Sequence, residues 1–244
     1  MAPLTLNAVR DYINTNIAAF HGNRLVRIRA LKLNDILKRK NPYLFKAKNV
    51  ITPRDLISTI LDAYLSSQEE TIFGDFLEGL ALFVCGKAYG GKGSPAEGID
   101  LEFTRNNTTY LVAIKSGPNW GNSSQIRRMV DDFKRAKKIL RGRSGSRQIE
   151  FINGCCYGID NKPDKGDYLK LCGQRFWELI SGDPELYVEI IEPLGYEARE
   201  KNSDFLNEYS RIIGIFAVEF EGRFCDDGVI NWRRLVEFNS KKDR

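Results

Sequence analysis

The sequence predicts an α/β protein: a central β-sheet flanked by helices, with a helical region ahead of it. Three observations carry this. The first third shows apolar residues at three- and four-residue spacing, as in LNDILKRK and PRDLISTILDAYL. The middle third holds two short strand-like runs split by a turn signal. Helical and strand-like stretches then alternate, and that alternation sets helices against a sheet.

Taken in order, Thr52-Pro53 reads as an N-cap followed by Pro at the first helical position, with Asp55 close behind. A further helix is expected to start after Ser66-Ser67, with Glu69 and Glu70 in its first turn. It runs through TIFGDFLEGLALFVCGK and stops at Tyr89-Gly90-Gly91-Lys92-Gly93-Ser94-Pro95. GIDLEF and TTYLVAIK are strands joined at Arg105-Asn106-Asn107. SGPNWGNSS is a polar loop. SQIRRMVDDFKRAKKIL is a helix capped by Ser123 or Ser124, RGRSGSR a loop, and IEFINGCCYGI a third strand. GQRFWELI and SDFLNEYSRIIGIFAVEF are helices on either side of a mixed stretch, LYVEIIEPLGYEAREKN. The expected organisation is a helical region over 1–65 and a core over 66–244, forming one compact domain. No linker divides them.

Composition removes several classes. At 42% hydrophobic and 28% charged residues the chain is of ordinary globular make-up. No apolar run nears the ~18 residues of a membrane helix, so no membrane partner is expected. The N-terminus lacks secretory-signal features, and five cysteines, two of them adjacent, suit a reducing cytoplasm better than a disulfide framework. The single histidine, His21, rules out a two-histidine zinc site and reads as a plain surface residue. Gly86 to Lys92 matches most of a P-loop but ends in Gly93 and follows a helix, the wrong way round. Cys155, Cys156, Cys172 and Cys225 form no C-x-x-C pair and read as buried thiols.

Charge is segregated. Residues 1–65 hold eleven Lys/Arg against four Asp/Glu, and residues 127–147 nine against two. Residues 176–208 hold two against nine. Such segregation suits a face built for a polyanion.

Asp100 opens one strand of the central pair and Lys115 ends the other, so pairing brings them to one end of the hairpin. A carboxylate holds a hard cation such as Mg²⁺. A lysine beside it orients a water and offsets charge on a phosphoryl oxygen. Together they suit phosphodiester hydrolysis. Glu78, on a nearly apolar helix with Gly74 one turn earlier, is a further metal-ligand candidate. The loop after Lys115 holds Ser116, Asn119, Trp120, Asn122, Ser123, Ser124 and Gln125, and it opens a helix whose N-terminus suits phosphate. Trp120 can stack or wedge against a base. Arg127 and Arg128, with Lys134, Arg135, Lys137 and Lys138, can contact phosphates.

GID (98–100), IKSGPNWGNSSQ (114–125) and the helix glutamate before them resemble the PD-(D/E)XK nuclease superfamily. More narrowly they resemble the PmeII-like type II restriction endonucleases. The similarity extends over LKRKNPYLFKAKN, SSQEETIFGDFLEGLALFVCGKAYGG, FINGCCYG, CGQRFWELISGD and EIIEPLGYEAREKN, from about residue 30 to the C-terminus.

The resemblance implies a restriction-endonuclease-like core with a mixed sheet. It implies a Mg²⁺-dependent homodimer that cuts short sites in double-stranded DNA, leaving 5′-phosphate and 3′-hydroxyl ends. A companion DNA methyltransferase would protect the host. Asp100 matches the first acid of the motif, Lys115 its lysine and Glu78 the helix glutamate. The metal would be held by Asp100, Glu78, the Ile114 backbone carbonyl and Glu102. Ala113 departs from the pattern, since it stands where the second acid belongs. Glu102 is the nearest substitute, on the same strand face as Asp100. Asp131 and Asp132 on the following helix are the other option. Alternatively the chain is inactivated and only binds DNA, or it is a structure-selective repair or junction nuclease with the same core.

Overall fold

A computed structural model describes residues 3–141, 148–195 and 198–242. The loop expected over 142–147 lies outside them. In chain order the elements are α1 (Leu6–Arg29), α2 (Leu33–Arg39), α3 (Pro42–Ala47), α4 (Pro53–Tyr89), β1 (Leu101–Arg105), β2 (Thr108–Lys115), α5 (Ser123–Arg141) and β3 (Gln148–Cys155). There follow β4 (Leu169–Cys172), α6 (Gln174–Ser181), α7 (Leu186–Glu189), α8 (Ile191–Leu194), α9 (Ala198–Phe224), β5 (Cys225–Asp226), β6 (Val229–Ile230) and α10 (Trp232–Ser240). The fold is α/β, with a mixed four-stranded sheet, flanking helices and a helical N-terminal region.

The chain forms two compact units. One comprises Met1–Ala18 and Phe73–Tyr196, the other Ala19–Ile72 and Glu197–Arg244. The first carries the sheet, in the order β1-β2-β3-β4. β1 and β2 are antiparallel, joined by Asn106 and Asn107, which both take positive φ (49° and 62°). Two such residues make the hairpin turn whose twist matches the strands, and Asn tolerates that region well. β2, β3 and β4 are parallel, and α5 supplies the crossover from β2 to β3. Leu111 to Ile114 are all buried, as expected of a strand covered on both faces. On one face Leu111 and Ala113 pack with Met129, Phe133 and Ala136 of α5 and with Phe151 of β3. On the other, the Phe176 ring of α6 packs against Gly154, which has no side chain to hold it off.

Among the described residues, the regular elements of the second unit are helices apart from the β5–β6 hairpin. Its core joins Ile28, Leu33, Ile36, Phe45, Leu56, Ile57, Ile60 and Leu61 to Phe205, Ile212, Phe216, Phe220, Phe224 and Leu235.

Four expectations need correcting. No helix starts after Ser66-Ser67, because α4 runs unbroken through both serines. Neither Gly nor Pro interrupts it there, and Ser67 Oγ donates to the Ala63 carbonyl 3.2 Å away instead of capping. Glu69 therefore lies mid-helix, paired with Arg24 at 2.7 Å. The cap of α5 is Asn122, not Ser123 or Ser124. Its Oδ1 accepts the N–H groups of Ser124 and Gln125 (3.0 and 3.1 Å), while Gln125 Oε1 accepts the Asn122 N–H at 2.8 Å, a reciprocal capping box. His21 is buried, not on the surface. It packs edge-on to Phe20, and burial, with Arg24 and Lys201 nearby, holds its pKa below the ordinary value. Among its described residues, the mixed stretch after GQRFWELI forms the helices α7 and α8 and the start of α9. The expected N-cap at Thr52 is present, its Oγ1 accepting the Asp55 N–H at 3.1 Å.

Candidate active site

The β1–β2 hairpin brings Asp100 and Lys115 together. Leu101 pairs with Val112, and the Asp100 N–H donates to the Val112 carbonyl at 2.9 Å, so Asp100 stands across from Ala113. Lys115, two residues on, shares the Ala113 face, and its Nζ lies 3.7 Å from Asp100 Oδ2. The same oxygen accepts the Ile114 N–H at 2.6 Å. The Ile114 carbonyl points to the same edge, since the N–H and C=O of one strand residue share a side. A methyl group occupies position 113, where a longer side chain would reach both Asp100 and Lys115.

Glu78 joins the pair from α4. Its carboxyl is held above the ordinary range, first by burial and then by the charge of Asp100; Lys115 acts in the opposite sense, and Asp75 adds to the rise. α4 approaches the strand end at Gly74, where an added Cβ would lie 3.7 Å from Ser116 Cβ. Asp75, on this same turn, was not singled out in the sequence.

The other carboxylates are engaged elsewhere. Glu102 takes Lys92 Nζ at 3.3 Å and the Ser94 hydroxyl at 3.2 Å. Asp132 is buried against Gly98, whose φ of +75° and lack of a side chain both make room, and it bonds Arg135. Asp131 is exposed on α5.

Trp120 is anchored inward. Its indole N–H donates to Asn153 Oδ1 at 2.9 Å, and Lys115 Nζ lies 5.3 Å from the ring centroid. Lys115 therefore sits between a carboxylate and an aromatic face. Asn153 is fully buried on β3, paired with Ala113, and its amide donates to the Ala113 carbonyl at 3.2 Å. One strand over, Lys170 Nζ donates to the Pro118 carbonyl at 2.7 Å and so pins the loop. Neither was picked out from sequence, though an Asn inside an apolar strand run was a signal.

Asn122 and Gln125 are occupied by the capping box. Asn119, Ser123 and Ser124 are exposed. Along α5, Arg128 and Arg135 share Glu97 (3.0 and 3.9 Å), and Lys134 pairs with Asp167 at 3.7 Å. Arg127 and Lys138 are exposed and have no ion-pair partner among the described residues.

Two aspartate and glutamate carboxylates beside a lysine, one of them driven up by burial and by its neighbour, suit a divalent cation, which would relieve their repulsion. Mg²⁺ usually takes only one or two carboxylates, with water and phosphate completing its shell. Asp100 and Glu78 are the two carboxylates here that could serve as such ligands; among the described residues no group of three His, Cys, Asp or Glu forms a ready cage.

No helix among the described residues is long and apolar enough to cross a membrane. The family model for type II restriction endonuclease EcoO109I matches residues 7–202, which include the hairpin, its loop and Glu78. No curated protein matches the chain significantly.

Proposed function

The chain belongs to the type II restriction endonuclease EcoO109I family, and from that premise we propose that it cuts double-stranded DNA at a short palindromic site in a Mg²⁺-dependent reaction. Membership makes it a nuclease whose substrate is DNA. The proposal adds the PD-(D/E)XK class with its PmeII-like affinity, the metal, the site specificity and the residue roles. The observation that supports it best is the 3.7 Å approach of Lys115 to Asp100, within the influence of Glu78. A partly exposed ion pair adds only about 0–1 kcal/mol of stability, so the hairpin gains little by it and the chemistry gains much.

Asp100 and Glu78, with the Ile114 carbonyl, would hold Mg²⁺, which supplies Lewis-acid polarisation of the phosphate. Glu102 is the reserve ligand. Lys115 Nζ, steadied by Asp100 and the Trp120 ring, orients the attacking water and offsets charge on a non-bridging oxygen. The water oxygen bonds to phosphorus as its proton passes to solvent, the P–O3′ bond breaks, O3′ takes up a proton from solvent, and the products keep a 5′-phosphate and a 3′-hydroxyl. Ser116, Asn119, Ser123 and Ser124, with the α5 N-terminus, grip the phosphate chain, and Arg127 and Arg128 extend the contact. Cutting both strands of a palindrome calls for two such sites, hence a homodimer, to which the basic helices over 1–65 contribute. The setting is the cytoplasm, beside a methyltransferase of matching specificity.

Ala113 favours one other reading, a DNA-binding protein without catalysis. Digestion of a mixed-sequence plasmid with Mg²⁺ separates the outcomes. Discrete bands support the site-specific enzyme. A gel shift without cutting supports the silent binder, and cutting confined to branched DNA points to a structure-selective nuclease.

A further inference from the structure

Beyond the carboxyl ends of β3 and β4 lies a half-open pocket of about 570 Å³. Such strand ends are where open α/β sheets place ligands. Its walls are residues 156–161 and 172–175 together with Tyr187. These are largely the FINGCCYG and CGQRFWELISGD segments, which the catalytic hairpin leaves unused.

The pocket adjoins the catalytic strand end. The Cys156 N–H donates to the Lys115 carbonyl at 3.0 Å and the Tyr157 N–H to the Ser116 carbonyl at 3.2 Å. The Tyr157 ring lies directly on Gly117, and Pro118 on Gly158. The mouth of the pocket therefore lies next to the strand end that carries Lys115.

Its chemistry suits bases. Ile159, Tyr157 and Tyr187 stand 82%, 53% and 40% exposed around it. Large apolar side chains gathered at a concave mouth mark a binding surface. Asn161 and Arg175 are exposed beside them, and Arg175 has no carboxylate partner among the described residues. Gln174 commits its amide N–H to the Pro184 carbonyl at 3.0 Å, leaving its oxygen as an acceptor. The one acid in the wall, Asp160, is offset by Lys165 and Lys170 at 3.1 and 3.6 Å, so it does not repel a polyanion.

We propose that this pocket reads the bases beside the scissile phosphate. Arg175 and Asn161 hydrogen-bond base edges, while Ile159 and Tyr157 pack on methyl groups and ring faces. The proposal rests on the site-specific reading above.

The test is selection of DNA from a random pool by the full chain, with Ca²⁺ in place of Mg²⁺ so that the DNA survives. Arg175→Ala and Ile159→Ser change exposed positions, and an unchanged melting temperature checks their folding. Each is expected to bind the enriched site about 10- to 100-fold more weakly, to lose preference at one or two base positions, and to keep its affinity for random DNA. An unchanged preference overturns the proposal. So does an equal loss on every sequence with the salt slope reduced by about one, which is the mark of a phosphate contact. A wild-type chain that enriches no sequence overturns the site-specific reading, and this proposal with it; enrichment by wild type with unaltered variants overturns the pocket alone.

Discussion

The indole N–H of Trp120 donates to the carboxamide oxygen of Asn153 at 2.9 Å, while Lys115 lies over the same indole ring. Asn153 is thus satisfied on both sides, since its amide reaches the Ala113 carbonyl. Removing it strands a partly buried donor, which costs about 1–3 kcal/mol. Asn153→Ala should lower the melting temperature by several degrees and reduce cleavage. Trp120→Phe keeps the ring under Lys115 and should cost less. Calorimetry on the two variants checks the order.

Asp100→Ala and Lys115→Ala should each leave DNA binding largely intact while lowering cleavage at least 10²-fold, as lost transition-state stabilisation does. Gel shifts and single-turnover rates measured side by side make the comparison. A parallel loss of binding would instead mean that the hairpin had collapsed.

Position 113 invites the converse experiment. Ala113→Glu sets a carboxylate across from Asp100 and two residues from Lys115, among Met129, Phe133 and Trp120. A second carboxylate set beside Asp100 repels it and competes for the one lysine, so the variant should melt lower in EDTA and recover with Mg²⁺. Its cleavage should rise at least 10-fold over the natural chain. If Glu78 already supplies the second ligand, Glu78→Gln should abolish the natural activity, and Asp131→Asn should matter little. Mg²⁺ titrations of cleavage and melting decide this.

Glu78 also fixes a pH dependence. Its folded pKa lies above the ordinary carboxylate value. Ionisation therefore costs the folded state more than the unfolded one. The cost is absent below the ordinary value of about 4.3 and is fully present once the pH has risen through the folded value. In EDTA, Glu78→Gln should raise the melting temperature at pH 7 and leave it unchanged near pH 3. A gain of equal size at both would refute the assignment.

Salt dependence tests the basic helix. Arg127 is exposed and unpaired among the described residues, whereas Arg128 shares Glu97 with Arg135. Arg127→Ala should weaken binding to all sequences alike and flatten the salt slope by about one. Arg128→Ala should have the smaller effect, because its charge is partly offset in the free protein.

The parts of this site visible from sequence are the local ones. Asn106-Asn107 fixes the hairpin, and the hairpin fixes the meeting of Asp100 with Lys115, so period and turn chemistry sufficed. Glu78 stood out as a charge on an apolar helix. β4 escaped notice because LKLC is four residues long and borrows its pairing from β3. α4 reads as two helices because serine usually caps, although no Gly or Pro breaks the run there and Ser67 turns back onto the Ala63 carbonyl instead. Asn153 and Lys170 matter through partners 33 and 52 residues away, which no periodicity encodes.

The division of the chain sets an order of assembly. The helical unit draws one part of its core from Ile28 to Leu65 and the other from Phe205 to Leu235. During synthesis the first part emerges early and finds no partner until nearly the whole chain has left the ribosome. The sheet-bearing segment, made in between, gathers its strands from Leu101 to Cys172 without that delay. A nascent chain stalled before Phe205 would thus hold a formed hairpin with Asp100 and Lys115, while Ile36, Leu56, Ile60 and their neighbours stood open to chaperones.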